Sequence, residues 1–140
     1  MFSNQFMRSA LTMANAAFLA DEVPVGAVIV NPRTNNIITQ AHNLVEYKKD
    51  PTAHAEILAI QAACQSLQSK NLAGLDLYVT LQPCKMCLQA IAYARISRVY
   101  FGAYDNTDPL TLNQLEIYGG IEELECKDLL NKFFASKREA

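Results

Sequence analysis

Two short segments hold the residues best suited to chemistry: His54-Ala55-Glu56 and, some thirty residues later, Pro83-Cys84-Lys85-Met86-Cys87. Together they supply one imidazole and two thiols, a donor set that a tetrahedral zinc ion favours. A Cys-x-x-Cys pair at the start of a helix points both sulfurs toward one ion, and the positive end of the helix dipole favours thiolate at Cys84. Three protein ligands leave a fourth position for water, which zinc makes acidic enough to supply hydroxide near neutral pH. Glu56 lies two residues past His54, out of the same coordination direction, yet its carboxylate can reach that water and shuttle its proton. The matching reaction is addition of hydroxide to an amidine-like ring carbon, followed by protonation of the leaving amine.

Taken alone, Cys-x-x-Cys also fits a redox pair or half of a structural zinc site. A structural site needs a fourth protein ligand, for which Cys64, Cys126 and His42 are available. Cys64 sits in an alanine-rich segment and Cys126 close to Leu124, so both read more simply as small buried hydrophobes. His42 reads as a satisfied residue at a strand end. His-x-Glu and the proline before Cys84 make the open, catalytic arrangement the more specific one.

These residues need elements to hold them. Phe2, Phe6, Ala10, Met13, Ala17 and Leu19 recur close to a helical period, and no Pro or Gly interrupts 2–20. Val25 to Val30 is a short β-branched run, 31–36 is rich in turn formers, and Ile37 to His42 is extended again, which predicts a hairpin. Asp50-Pro51 fits an N-cap and first helical position, opening a helix through Leu67 with Ile57, Leu58, Ile60 and Leu67 as apolar anchors. Leu75 to Thr80 predicts a strand, Pro83 precedes a helix over 84–94, and 98–101 is a brief strand ending at Gly102. The last element is an amphipathic helix over 121–136, with Leu124, Leu129, Leu130, Phe133 and Phe134 inward. Strands alternating with helices imply an α/β fold, and the opening hairpin makes its sheet mixed.

The 140 residues, 51% hydrophobic and 19% charged, suit a single domain over 1–140 with a sizeable core, and exclude disorder for most of the chain. The longest apolar run, Val23 to Val30, is broken by Pro24 and Gly26 and is too short to span a bilayer. Met1 to Leu19 lacks the pattern of a secretory signal, so the expected location is cytoplasmic. A net charge of -2 excludes nucleic-acid binding by general positive charge; any such contact needs a local patch. Lys48 and Lys49 before Asp50-Pro51, and Lys132, Lys137 and Arg138 near the end, are the candidates, although solvation is the simpler explanation of them.

The His-x-Glu and Pro-Cys-x-x-Cys pattern resembles the signature of zinc-dependent nucleobase deaminases. The chain is closer still to bacterial tRNA adenosine deaminases, through VPVGAVIV at 23–30, DPTAHAEILAI at 50–60, LYVTLQPCKMC at 77–87 and ARISRVYFGAYD at 94–105. That resemblance implies a cytidine-deaminase-like three-layer α/β/α fold with a mixed five-stranded sheet, and hydrolysis of adenosine to inosine at the anticodon wobble base. It implies a homodimer with one zinc ion per subunit, held by His54, Cys84 and Cys87, with Glu56 as proton shuttle. It further implies contact of Asn43 with the target base, of Asp105 with the RNA sugar, and of Phe134 with flanking nucleotides. The chain departs from the family at Gln82, where Glu is usual, at Tyr104, where a basic residue is frequent, and in a shorter stretch between Asp105 and Tyr118-Gly119-Gly120. The shortened stretch keeps open a deaminase of free bases or nucleosides, and spacing alone also permits a non-catalytic zinc or RNA-binding module.

Overall fold

β1 (Gly26–Asn31) is buried on both faces, as its unbroken apolar run requires, and is an interior strand of a mixed sheet. β2 (Asn36–His42) pairs antiparallel with one side of β1, and β3 (Asp76–Leu81) antiparallel with the other. β4 (Arg98–Ala103) runs parallel to β3, and β5 (Glu116–Tyr118) parallel to β4, giving the order β2-β1-β3-β4-β5. The structure, a computed structural model, describes residues 5–105 and 115–139. The shortened loop read from the sequence falls mainly on 106–114, outside the described residues.

α1 (Gln5–Leu19) and α5 (Glu123–Glu139) cover one face of the sheet; α3 (Ala55–Leu67) and α4 (Lys85–Ala94) cover the other. α2 (Val45–Lys48) is a single short turn between β2 and α3. The three-layer α/β/α architecture is therefore present. No helix among the described residues is long and apolar enough to cross a membrane.

Glycines set how closely the outer helices approach. A Cβ on Gly26 would lie 2.0 Å from the Ala10 carbonyl oxygen and 2.5 Å from the Ala14 nitrogen, so α1 rests on β1 backbone to backbone. This approach selects Ala10, Ala14 and Ala17 as the buried stripe, with Phe6 and Met7 at one end. The expected face is thus rotated: Met13 is only half-buried, Leu19 is 79% exposed, and Phe2 lies outside the described residues. Gly102 does the same for α5, where a Cβ would meet Cys126 Sγ at 2.3 Å. Cys126, Leu130 and Phe133 consequently turn inward, while Leu124 and Phe134, expected inward, are exposed.

Two further boundaries differ from the sequence reading. α3 begins at Ala55, not at Asp50-Pro51, because the Asp50 carboxylate accepts from the Thr52 backbone N–H and hydroxyl and closes a separate turn. Leu67, at the end of α3, is exposed rather than an anchor. α2 and β5 left no periodic signal because both are too short to carry one.

Candidate metal centre and active site

Strand direction gathers the site. β2 and β3 are both antiparallel to β1, and β4 is parallel to β3, so β2, β3 and β4 all end at the same edge of the sheet. Asn43 follows β2, Gln82 to Cys84 follow β3, and Asp105 follows β4. Ligands of open α/β sheets settle beyond such carboxyl ends. Glu22 enters at this edge as well, four residues before β1.

Two helix starts then meet there. His54 is the N-cap of α3 and Cys84 the N-cap of α4, both extended, with φ/ψ of -74/152 and -74/173. Their carbonyls accept the first helical bonds, from Leu58 and Leu88. Cys87 lies one turn into α4 on the Cys84 side, as a three-residue spacing requires. His54 Nδ1 is 3.7 Å from Cys84 Sγ and 3.5 Å from Cys87 Sγ. Ligands bonded to zinc at about 2.0 Å (N) and 2.3 Å (S) with tetrahedral angles stand about 3.5 Å apart, so the donors present fit that ion.

The chemistry of the donor set agrees. Cys87 is fully buried, and burial together with nearby Glu56 and Cys84 pushes its thiol well up. A divalent cation supplies the charge that would make the buried Cys87 sulfur and the half-buried Cys84 sulfur stable as thiolates. Among the described residues, His42, Cys64 and Cys126 do not join the cluster, so three protein ligands leave one position open. His42 Nδ1 instead donates to the Asn43 carbonyl at 2.8 Å. Cys126 packs against Gly102 with its thiol pushed up to about 12 by burial, and Cys64 is half-buried in α3.

Glu56 sits in the first turn of α3 and is 4% exposed. Burial pushes its carboxyl up to about 7, against the pull of its own backbone N–H and of Cys87. A carboxyl in that range can both accept and release a proton near neutrality.

A cavity of about 630 Å³ opens over these groups, walled by Glu22, Asn43, His54, Glu56, Gln82 and Asp105 among others. Asn43, 8% exposed, uses its Oδ1 to accept the Ala55 backbone N–H at 2.8 Å, which leaves its amide N–H groups for other partners. Gln82 Oε1 accepts the Asp105 backbone N–H at 2.9 Å and so ties Asp105, two residues past β4, to the segment that follows β3. The ring that reaches the cavity from α5 is Phe133; Phe134 packs edge-on against it, with centroids 5.4 Å apart.

One residue of the site escaped the sequence reading. Glu22 is 2% exposed, and its two carboxylate oxygens accept the backbone N–H groups of Glu46 at 3.0 Å and Tyr47 at 2.8 Å, tying α2 to the cavity wall. An acidic residue directly before the apolar run 23–30 was the available signal. Its partners lie 24 and 25 residues away, which no local pattern reveals.

A family model for MafB19-like deaminases matches residues 1–138. The tRNA-specific adenosine deaminase of Aquifex aeolicus is 44% identical, over 95% of this chain and 94% of its own length. That of Rickettsia bellii is 41% identical, over 95% of this chain and all of its own. The solved structure of a tRNA:A34 deaminase, studied for A-to-I editing at the wobble position of transfer RNA, is similar at a TM-score of 0.84 and 39% identity, covering 91% of this chain and 100% of that one.

Proposed function

This chain belongs to the family of tRNA-specific adenosine deaminases, and from that premise we propose that it hydrolyses adenosine to inosine at the wobble position of a tRNA anticodon. The observation that carries the chemistry is the three-donor cluster of His54, Cys84 and Cys87 with buried Glu56 beside it. His54, Cys84 and Cys87 would hold zinc, one ion per subunit. The ion, when bound, supplies Lewis acidity and makes water nucleophilic near neutral pH.

The chain's own groups do the rest. Glu56 takes a proton from the attacking water and delivers it to the amine, which departs as ammonia while the ring carbon keeps the oxygen. Asn43, its Oδ1 committed to Ala55, turns its amide N–H toward an acceptor of the base. Asp105, fixed by Gln82, accepts from the ribose. Phe134, exposed on α5 beside Phe133, meets flanking nucleotides, with Lys137 and Arg138 following it. The enzyme acts as a single domain, as a homodimer, in the cytoplasm.

The test is to incubate zinc-loaded protein with a tRNA bearing adenosine at the wobble base, and separately with free adenine, guanine, cytosine and their nucleosides, scoring products by mass spectrometry. Inosine in the tRNA is expected. Deamination of a small molecule alone would keep the chemistry and overturn the substrate.

A further inference from the structure

Asp105 lines the site cavity, but the residue before it packs elsewhere. Tyr104 sets its ring edge-on against Phe101, with centroids 4.9 Å apart and planes at 86°. Beside the two rings runs Gly119, where a Cβ would lie 2.3 Å from Phe101 Cζ and 2.8 Å from the Tyr104 hydroxyl oxygen. The rings thus fill the space that a side chain at 119 would need. The backbone they rest on is itself held, because the Gly120 N–H donates to Gly102 at 3.2 Å and the Ile121 N–H to Phe101 at 3.0 Å.

Gln82 secures the same stretch from the β3 side. Its N–H donates to the Ala103 carbonyl at 2.9 Å, and its Oε1 accepts the Asp105 N–H at 2.9 Å. These bonds pin the chain on either side of Tyr104. A segment pinned at two points can still rotate about the line that joins them, and a side chain wedged between those points stops the rotation. Tyr104 is 58% exposed, so its ring adds little apolar burial to the core. Its packing constrains the chain more than it stabilises the fold.

We infer that Tyr104 is a positioning residue for Asp105: wedged against Phe101 and Gly119, it holds the carboxylate at the cavity and so sets how strongly the site prefers ribose to deoxyribose. The inference rests on the ribose contact proposed above for Asp105. A carboxylate accepts from a 2′-hydroxyl only where its oxygen stands within about 3 Å of the donor oxygen. An acceptor already held there loses less freedom on binding than one that must be ordered by the substrate. Deoxyribose lacks that donor, so a misplaced carboxylate costs it nothing.

The experiment is a double-mutant cycle on the zinc-loaded full chain, with an anticodon stem-loop carrying adenosine at the wobble position. Tyr104→Ala is expected to lower kcat/KM about tenfold, mainly through KM, and to add little further loss where Asp105 is already replaced by Ala. Tyr104→Phe keeps the ring and is expected to match the parent. Binding of the same stem-loop with 2′-deoxyadenosine at that position, measured as a competitor, should be equal in the parent and Tyr104→Ala. Zinc content and melting temperature should stay near the parent values. An unchanged kcat/KM in Tyr104→Ala, losses that multiply in the double variant, or weaker binding of the deoxy stem-loop overturns the inference. A Tyr104→Ala protein that melts well below the parent also overturns it, since the ring would then serve the fold at large. Full activity in Asp105→Ala removes the ribose contact and the inference with it, while editing stands. A parent protein that edits no stem-loop overturns the editing reading itself.

Discussion

Asn43 Oδ1 accepts the Ala55 backbone N–H at 2.8 Å, so a side chain that lines the site cavity also secures the first turn of the helix that carries Glu56. Asn43→Ala leaves a buried donor unsatisfied and is expected to cost about 2 kcal/mol of stability as well as activity. Asn43→Asp keeps the acceptor and loses the amide donors. Thermal melts near the parent value with turnover lost would separate the two roles; a melt as low as that of Asn43→Ala would show that the amide matters to the fold.

Glu56→Gln is expected to retain zinc and fold while turnover falls by at least roughly a hundredfold. Because burial already disfavours the charged carboxyl, the neutral amide should melt at the parent temperature or above it. Metal analysis, melting and editing assays on the same preparation check this. Retained turnover would remove Glu56 from the mechanism.

Cys87→Ala is expected to lose metal, and chelation of the parent protein to lower its melting temperature, because binding to the folded chain contributes folding free energy. Cys126→Ala, outside the cluster, should keep its full zinc content. Equal zinc loading in Cys87→Ala would refute the ligand set.

Gln82 offers an acceptor to the Asp105 N–H through its side-chain carbonyl. Gln82→Glu preserves that acceptor and is expected to edit at close to the parent rate. Gln82→Leu removes it, releasing Asp105, and should raise KM about tenfold, on the order of one lost hydrogen bond. Steady-state kinetics of the two variants decide between an acceptor role and a requirement for the amide.

Gly26→Ala places a methyl inside van der Waals contact with the backbone of α1. It is expected to destabilise the fold by about 3 kcal/mol, read as a lower denaturation midpoint. An unaffected midpoint would mean that α1 slides away at little cost.

The donor set was legible because metal chemistry constrains residue type and spacing locally: Cys84 and Cys87 share a helical turn, and His54 and Glu56 start another. The α/β class, the mixed sheet and most element boundaries followed from apolar periodicity, turn residues and β-branched runs, all properties of contiguous chain. Where a boundary moved, a side chain had a second use: Asp50 has the composition of an N-cap, yet its oxygen was already taken by Thr52.

What the sequence could not decide depends on which segments approach each other. The parallel course of β2, β3 and β4 brings Asn43, Gln82 and Asp105 to one edge, and although the β1–β2 hairpin is local, the β1–β3 pairing that completes this course joins Ala27 to Val79, far apart in the chain. The rotation of α1 and α5 was settled by close contact at Gly26 and Gly102, not by the hydrophobicity of Leu19, Leu124 or Phe134. Glu22 is a buried carboxylate only because the N–H groups of Glu46 and Tyr47 come to meet it. Residue type and spacing fix which chemistry is possible, since bonds to a metal or a proton are made by particular atoms. Long-range packing fixes where those atoms stand, and which of the chain's ordinary charged and aromatic residues are drawn in beside them.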